Sequence, residues 1–156
     1  MIKNNVTRLL DQRKINYTAF ELPEEKLGAE VTAEMLGVPA EMVFKTIVVK
    51  REGRGKPILA VVPGSAEVDL KALAKAVGEK KVQLATQVEA EKLTGLQVGG
   101  ISPLALLNRG FQVVIDQSAI ALGQLHVSGG QRGLNIRLAA DDLVRLTNAR
   151  CAVIIS

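Results

Sequence analysis

Apolar residues Ile2, Val6, Leu9 and Leu10 stand at i, i+4, i+7 and i+8 with polar residues between them, which predicts an amphipathic helix at the start of the chain. A short strand is expected over Tyr17–Glu21, then a charged turn over 23–28 and a helix over 30–36 closed by Gly37 and Pro39. Segments 43–50 and 57–62 are rich in β-branched residues and flank REGRGK, a polar stretch with two glycines, so they read as a hairpin. Past Pro63 and Gly64, residues 68–77 alternate apolar and lysine positions at helical spacing, put Lys71 and Lys75 on one face, and stop at Gly78.

A strand over 81–84 leads to Thr86, whose hydroxyl suits the N-cap of a helix over 88–93. A glycine-rich connection over 95–103 follows. Strands are expected over 112–115, Gln124–Ser128 and 134–138, and a helix over 141–147 closes the pattern. Strands and helices mix without regular βαβ alternation, which predicts an α+β fold. No repeat, low-complexity segment or linker interrupts the chain, so one domain over residues 1–156 is expected.

Composition narrows the function classes. At 156 residues and 47% hydrophobic content the chain can bury one proper core. A net charge of +4 and a pI near 9.4 favour an acidic partner such as RNA without establishing one. Cations gather at Lys50, Arg51, Arg54 and Lys56, and again at Lys71, Lys75, Lys80 and Lys81. Aromatic residues make up only 3% of the chain, which argues against base-stacking platforms and leaves phosphate contacts as the source of RNA affinity. One cysteine allows no internal disulfide, and one histidine leaves no zinc cluster of the usual kind, so no metal site is expected. The charged N-terminus does not read as a secretory signal and no apolar run reaches the ~20 residues of a membrane span, so a soluble, cytoplasmic protein is expected.

Three stretches carry candidate chemistry: FKTIVV at 44–49, VGGISPL at 98–104 and HVSGGQRG at 126–133. In the first, Lys45 shares a strand face with Val43, Ile47 and Val49, an ammonium among apolar neighbours. Either its stem lies along the core and its head snorkels to water, or the amine serves a ligand. Gly99 and Gly100 suit a plain turn and equally a backbone that approaches an ester carbonyl and offers N–H groups to it.

Ser128 shares a strand face with His126, but parallel side chains and the lack of a third orienting group argue against a serine nucleophile. Ser128 reads as a hydrogen-bonding group that shapes a pocket, and His126 as a half-buried strand residue. Cys151, in CAVII, reads as a small buried hydrophobe, and Asp141 with Asp142 as caps of the last helix. With no triad, metal cluster or general base in view, either the protein only binds, or its substrate supplies the reactive group.

Several motifs in order, NNVTRLLDQRKINY, MVFKTIVV, LKALAKAVGEKKVQLAT, TGLQVGGISPL, VSGGQRGLNI and AADDLVRLTNA, resemble the YbaK-type aminoacyl-tRNA deacylases, freestanding relatives of the editing domain of some prolyl-tRNA synthetases. The resemblance implies a curved mixed sheet, partly closed like a barrel and surrounded by helices. It puts Lys45 on the lysine that family requires, as the catalytic cation that holds the terminal phosphate or ribose and orients the ester. It makes the Gly100 amide the carbonyl-binding group, Ser128 a pocket residue, and Thr46, Gly99, Ile101, Ser102, Gly129 and Gly130 their substrate-binding neighbours.

No cofactor is implied. The implied substrate is an aminoacyl-tRNA, foremost tRNA(Pro), with prolyl-tRNA synthetase as a candidate partner. Similarity is greatest to the branch that clears cysteine, where the substrate's own thiol attacks the ester. The sequence departs from that branch at Leu22 to Glu24, where a tyrosine and then a histidine are usual, and at Asn135, where an aspartate is often found. A sibling specificity for alanine or serine, and a non-catalytic module that binds RNA or a nucleotide, are the alternatives.

Overall fold

The computed structural model describes residues 2–156 and has an α+β architecture. Helix α1 (Asn5–Gln12) is followed by β1 (Tyr17–Glu21), α2 (Ala29–Leu36), β2 (Phe44–Arg51), β3 (Ile58–Pro63), α3 (Leu70–Val77), β4 (Val82–Leu84) and α4 (Gln87–Thr94). Then come β5 (Gln112–Asp116), α5 (Ser118–Leu122), β6 (Gln124–Ser128), β7 (Leu134–Ala139), α6 (Ala140–Thr147) and β8 (Arg150–Ala152). Every element expected from the sequence is present, with ends displaced by a residue or two, apart from the first helix, which begins at Asn5 instead of at Ile2.

Local chemistry explains several boundaries. Asn4 and Thr7 form a reciprocal capping box that starts α1, and Thr86 with Glu89 does the same for α4. Asp141 and Asp142 lie in the first turn of α6, where carboxylates meet the positive end of the helix dipole. Three elements escaped the pattern, the 3₁₀ turns at Ala40–Met42 and Pro103–Leu106 and helix α5, while β8 falls at the start of the strand-like CAVII run. Asp116 organises the last two. Its buried carboxylate accepts from the Ser118 N–H and hydroxyl at the start of α5 and from the Ile154 N–H just past β8.

Five strands form a mixed sheet in the order β4-β2-β3-β5-β8, antiparallel around β2 and parallel from β3 to β8. The other three form an antiparallel sheet, β1-β7-β6. An isolated parallel bridge between Val43 and His126 joins the two sheets. Central β3 is buried along its whole length. Its Leu59 and Val61 belong to the larger core with Val48, Val113, Leu125 and Ile136, while Ile58, Ala60 and Val62 face a second core with Leu73, Val114 and Ile154. Alternation of successive side chains between sheet faces is what divides one strand between two cores. Among the described residues no helix is long and apolar enough to cross a membrane.

Candidate functional site

Strand β2 has β3 along one edge for most of its length, but its other edge is only partly covered. That edge meets β4 at Val49 to Arg51 and is bridged to β6 at Val43. Between these points it has no partner strand among the described residues, and a cavity of about 520 Å³ opens there, within the usual range for small-ligand sites. Consecutive residues Val43 to Val48 all line it, as an open strand edge allows. The 22–29 loop, the start of α4, the glycine connection and the β6–β7 turn complete the wall.

Lys45 lines this cavity, is part-buried, and makes no hydrogen bond or ion pair among the described residues. Its register partner is Val62, so its stem lies on the side of the second core. Thr46, paired with Val61, points to the opposite face and also lines the cavity. The Val48 carbonyl accepts from the Ala85 N–H across the partly open edge. By strand periodicity the main-chain N–H and C=O of Thr46, two residues earlier, point to that same edge and so toward the cavity. The site therefore offers one free cation beside unpaired strand backbone.

The glycine connection contributes unevenly. Gly99 and Ile101 line the cavity, and neither amide has an intrachain acceptor among the described residues. Gly100, named from the sequence as the carbonyl donor, is buried behind them, and its N–H donates to the Gln97 carbonyl at 2.8 Å. A Cβ there would lie 2.9 Å from the Gln131 Cα and 3.0 Å from the Arg132 nitrogen, so glycine is needed for backbone to pass against backbone. Ser102 is fully buried and its Oγ accepts from the Leu104 N–H, capping the 3₁₀ turn away from the cavity.

Ser128 lines the cavity from the end of β6, and its Oγ accepts from the Gly130 N–H at 3.2 Å, leaving the hydroxyl proton free to donate. Gly129 and Gly130 sit behind it. A Cβ on Gly129 would meet Leu134 Cγ at 2.5 Å, and Asn4 Nδ2 donates to the Gly129 carbonyl, so this turn is pinned to the core and to α1.

His126 forms no pair with Ser128. Instead of being half-buried, it is wholly inaccessible, because the bridge to Val43 and the Phe20 ring, 5.5 Å away between centroids, close over it. Its Nδ1 is 2.8 Å from Asn135 Oδ1. Burial, and to a smaller degree the positive charge of Arg137, push its pKa below the ordinary 6.5 despite the opposing bond from Asn135, so the ring is neutral near pH 7. Asn135 itself lines the cavity next to its register partner Ser128.

The 22–29 loop walls the site, and of its residues only Leu22 to Glu24 drew notice in the sequence, as a departure from the resembled family. The loop's residues look like a charged turn, and the Leu22 N–H bond to the Gly133 carbonyl and the Lys26 bond to Gln87 Oε1 tie it across the cavity. Of the cations at the β2–β3 hairpin, Lys50 is paired with Glu89 and Arg51 with Glu79, which removes two from the charge thought free for RNA. Cys151 is part-buried, its thiol pushed up by burial and by Asp141, and it lies outside the cavity lining.

The sequence profile of the aminoacyl-tRNA editing domain matches residues 23–146, most of the chain. A relative from Enterococcus faecalis, named "Putative Cys-tRNA(Pro)/Cys-tRNA(Cys) deacylase EbsC", is 38% identical over 97% of this chain and 93% of its own. The prolyl-tRNA editing protein ProX of Acetoanaerobium sticklandii is 25% identical over 94% of this chain and 91% of its own. A solved structure described as "a putative trans-editing enzyme for prolyl tRNA synthetase" superposes with a TM-score of 0.82 at 23% identity, covering 100% of this chain and 99% of the other, and shares the fold.

Proposed function

The chain belongs to the aminoacyl-tRNA editing domain family, and from that premise we propose that it is a trans-acting deacylase that clears a mischarged amino acid, foremost cysteine, from tRNA(Pro). The observation that carries this reading is the unpaired Lys45 ammonium beside the open edge of β2. A cation without an internal partner, at the mouth of a cavity of ligand size, suits the phosphate and ribose at the end of a tRNA. The free amides of Gly99 and Ile101 suit an acyl oxygen better than the engaged amide of Gly100 does. The main-chain groups of Thr46 and the Ser128 hydroxyl are then available to the amino-acid part.

No cavity residue combines a nucleophile with a base in hydrogen-bond reach, so the chemistry fits a reaction in which the substrate attacks itself. The cysteinyl thiolate adds to its own acyl carbon, the new C–S bond forms as the bond from that carbon to the ribose oxygen breaks, and the ribose oxygen takes up a proton. Cysteine leaves as a thiolactone and the tRNA is freed. Holding sulfur and carbonyl in a reactive geometry can supply about 7–11 kcal/mol of the barrier, and the protein has only to orient and polarise the ester.

On this reading residues 1–156 work as one editing unit in the cytoplasm, tRNA affinity rests on phosphate contacts that discriminate weakly between tRNAs, and selection by tRNA identity falls to a partner, with prolyl-tRNA synthetase the candidate. Mass spectrometry of the released amino acid tests the route directly. A thiolactone supports thiol attack, while free cysteine released at the same enzymatic rate, with no thiolactone preceding it, overturns that route in favour of water.

A further inference from the structure

A second functional relation lies on the three-stranded sheet. Direct register places Phe20, Asn135 and Ser128 in one row across β1, β7 and β6, and Thr18, Arg137 and His126 in the next. All six side chains share the face opposite Leu134, Ile136 and Leu138, which enter the larger core. At one end of this lattice Asn135 and Ser128 line the cavity. At the other, Arg137 donates to Thr18 Oγ1 and lies over the Phe20 ring. His126 connects the ends, with Nδ1 on Asn135 Oδ1 at 2.8 Å and no solvent exposure.

Packing alone does not call for a histidine here. Its Nε2 is buried with no hydrogen-bond partner among the described residues, a penalty that an apolar side chain of similar size avoids. What the histidine adds is the bond at Nδ1. Because Asn135 Oδ1 can only accept, the tautomer that makes this bond is the one with the proton on Nδ1 and a bare Nε2. With Oδ1 committed to the imidazole, Asn135 has its NH₂ group left to meet a ligand.

We propose that His126 is a positioning residue that locks the Asn135 amide so that its NH₂ donates to the acyl oxygen of the bound aminoacyl ester. This inference rests on the deacylase reading. An α-ammonium carries no lone pair and a thiol is a weak acceptor, so the acyl oxygen is the group of the amino-acid part that such a donor can hold. Charge grows on that oxygen when the ester is attacked, so the bond strengthens in the transition state and acts on kcat. An aspartate at position 135 would present acceptors only, and the neutral amide is thus a change of role as well as of charge.

The test is a double-mutant cycle with His126→Leu and Asn135→Ala, read as single-turnover kcat and KM on whichever aminoacyl ester the wild-type protein clears. His126→Asn serves as the conservative variant, since its amide nitrogen occupies the place of ring Nδ1, and ¹⁵N NMR of the wild-type imidazole reports the tautomer. We expect each single variant to lower kcat by about 10–100-fold with KM little changed, the double variant to lose no more than either alone, and His126→Asn to recover most of the rate.

We further expect the NMR to show the proton on Nδ1. Multiplicative losses in the double variant, loss of thermal stability with kcat preserved in the folded fraction, or a proton on Nε2 would each overturn the proposal. If the wild-type protein clears no ester, the deacylase reading itself fails and takes this role with it, whatever the tautomer.

Discussion

A Cβ added at Gly100 would stand 2.9 Å from the Cα of Gln131, so the two glycine turns touch backbone to backbone. The contact cannot yield by a side-chain rotation. Gly100→Ala should therefore destabilise the fold by about 1–3 kcal/mol, seen as a lower urea midpoint. The same change at Gly99 meets the Arg132 side chain at 3.4 Å and the Lys26 Cα at 3.7 Å, both ordinary contacts, but its φ of +97° strains any other residue. Because the Gly100 amide is already bonded to Gln97, activity lost in Gly100→Ala should follow the displaced Gly99 and Ile101 and appear with the loss of stability.

Lys45 makes no internal bond among the described residues, so its removal should separate function from folding. Lys45→Met keeps the aliphatic stem and deletes the charge. Thermal melts should show a protein as stable as the wild type or more so, since a part-buried, unpaired ammonium is a cost to the fold. Ester clearance by the same variant should fall by at least about a hundredfold.

The pH dependence of stability follows from His126. Its folded pKa lies below the ordinary 6.5, so the unfolded chain binds the proton more readily. Stability from the neutral ring is fully present above about pH 6.5 and is lost as the pH falls through the lower, folded value. Urea midpoints should decline over that acid range, well before Glu89, itself held low by its bond to Lys50, begins to titrate. In His126→Leu this part of the slope should vanish. A wild-type midpoint that stays flat between pH 7 and 5 would contradict the burial and charge argument.

Cys151 should react slowly with alkylating reagents at pH 7, because burial and the neighbouring Asp141 disfavour the thiolate. Cys151→Ser should leave ester clearance unchanged, as the residue lies outside the cavity. Rapid labelling with parallel loss of activity would assign the thiol a role that its position does not support.

Much of the fold was legible because period and punctuation agreed: the Thr86 cap of α4, the REGRGK hairpin and the Gly78 end of α3 all stand where local chemistry put them. Helix α5 was not legible, and β8 only as the strand-like CAVII run, since both hang on the Asp116 carboxylate, a contact across 38 residues to Ile154. Lys45, Thr46, Gly99, Ile101 and Ser128, all singled out from the sequence, line the cavity, whereas Gly100, Ser102, Gly129 and Gly130 do not, and this division within each turn was not legible. Which of Gly99, Gly100 and Ile101 keeps a free amide depends on the Gln97 carbonyl and on the turn that packs behind it. Likewise Asn135 drew notice as a departure from a pattern, and only the register of β6 on β7 brings it to His126 and Ser128.

The central claim is that Lys45 and the open edge of β2 orient an aminoacyl ester for its own release. Its most direct test follows ester loss from cysteinyl-, alanyl- and seryl-tRNA(Pro), with wild-type protein, with Lys45→Ala and with none. The account predicts rapid loss of the cysteinyl ester in the presence of the wild-type protein and a rate near background with Lys45→Ala. Folded wild-type protein that binds these tRNAs but hastens none of the three losses would contradict it.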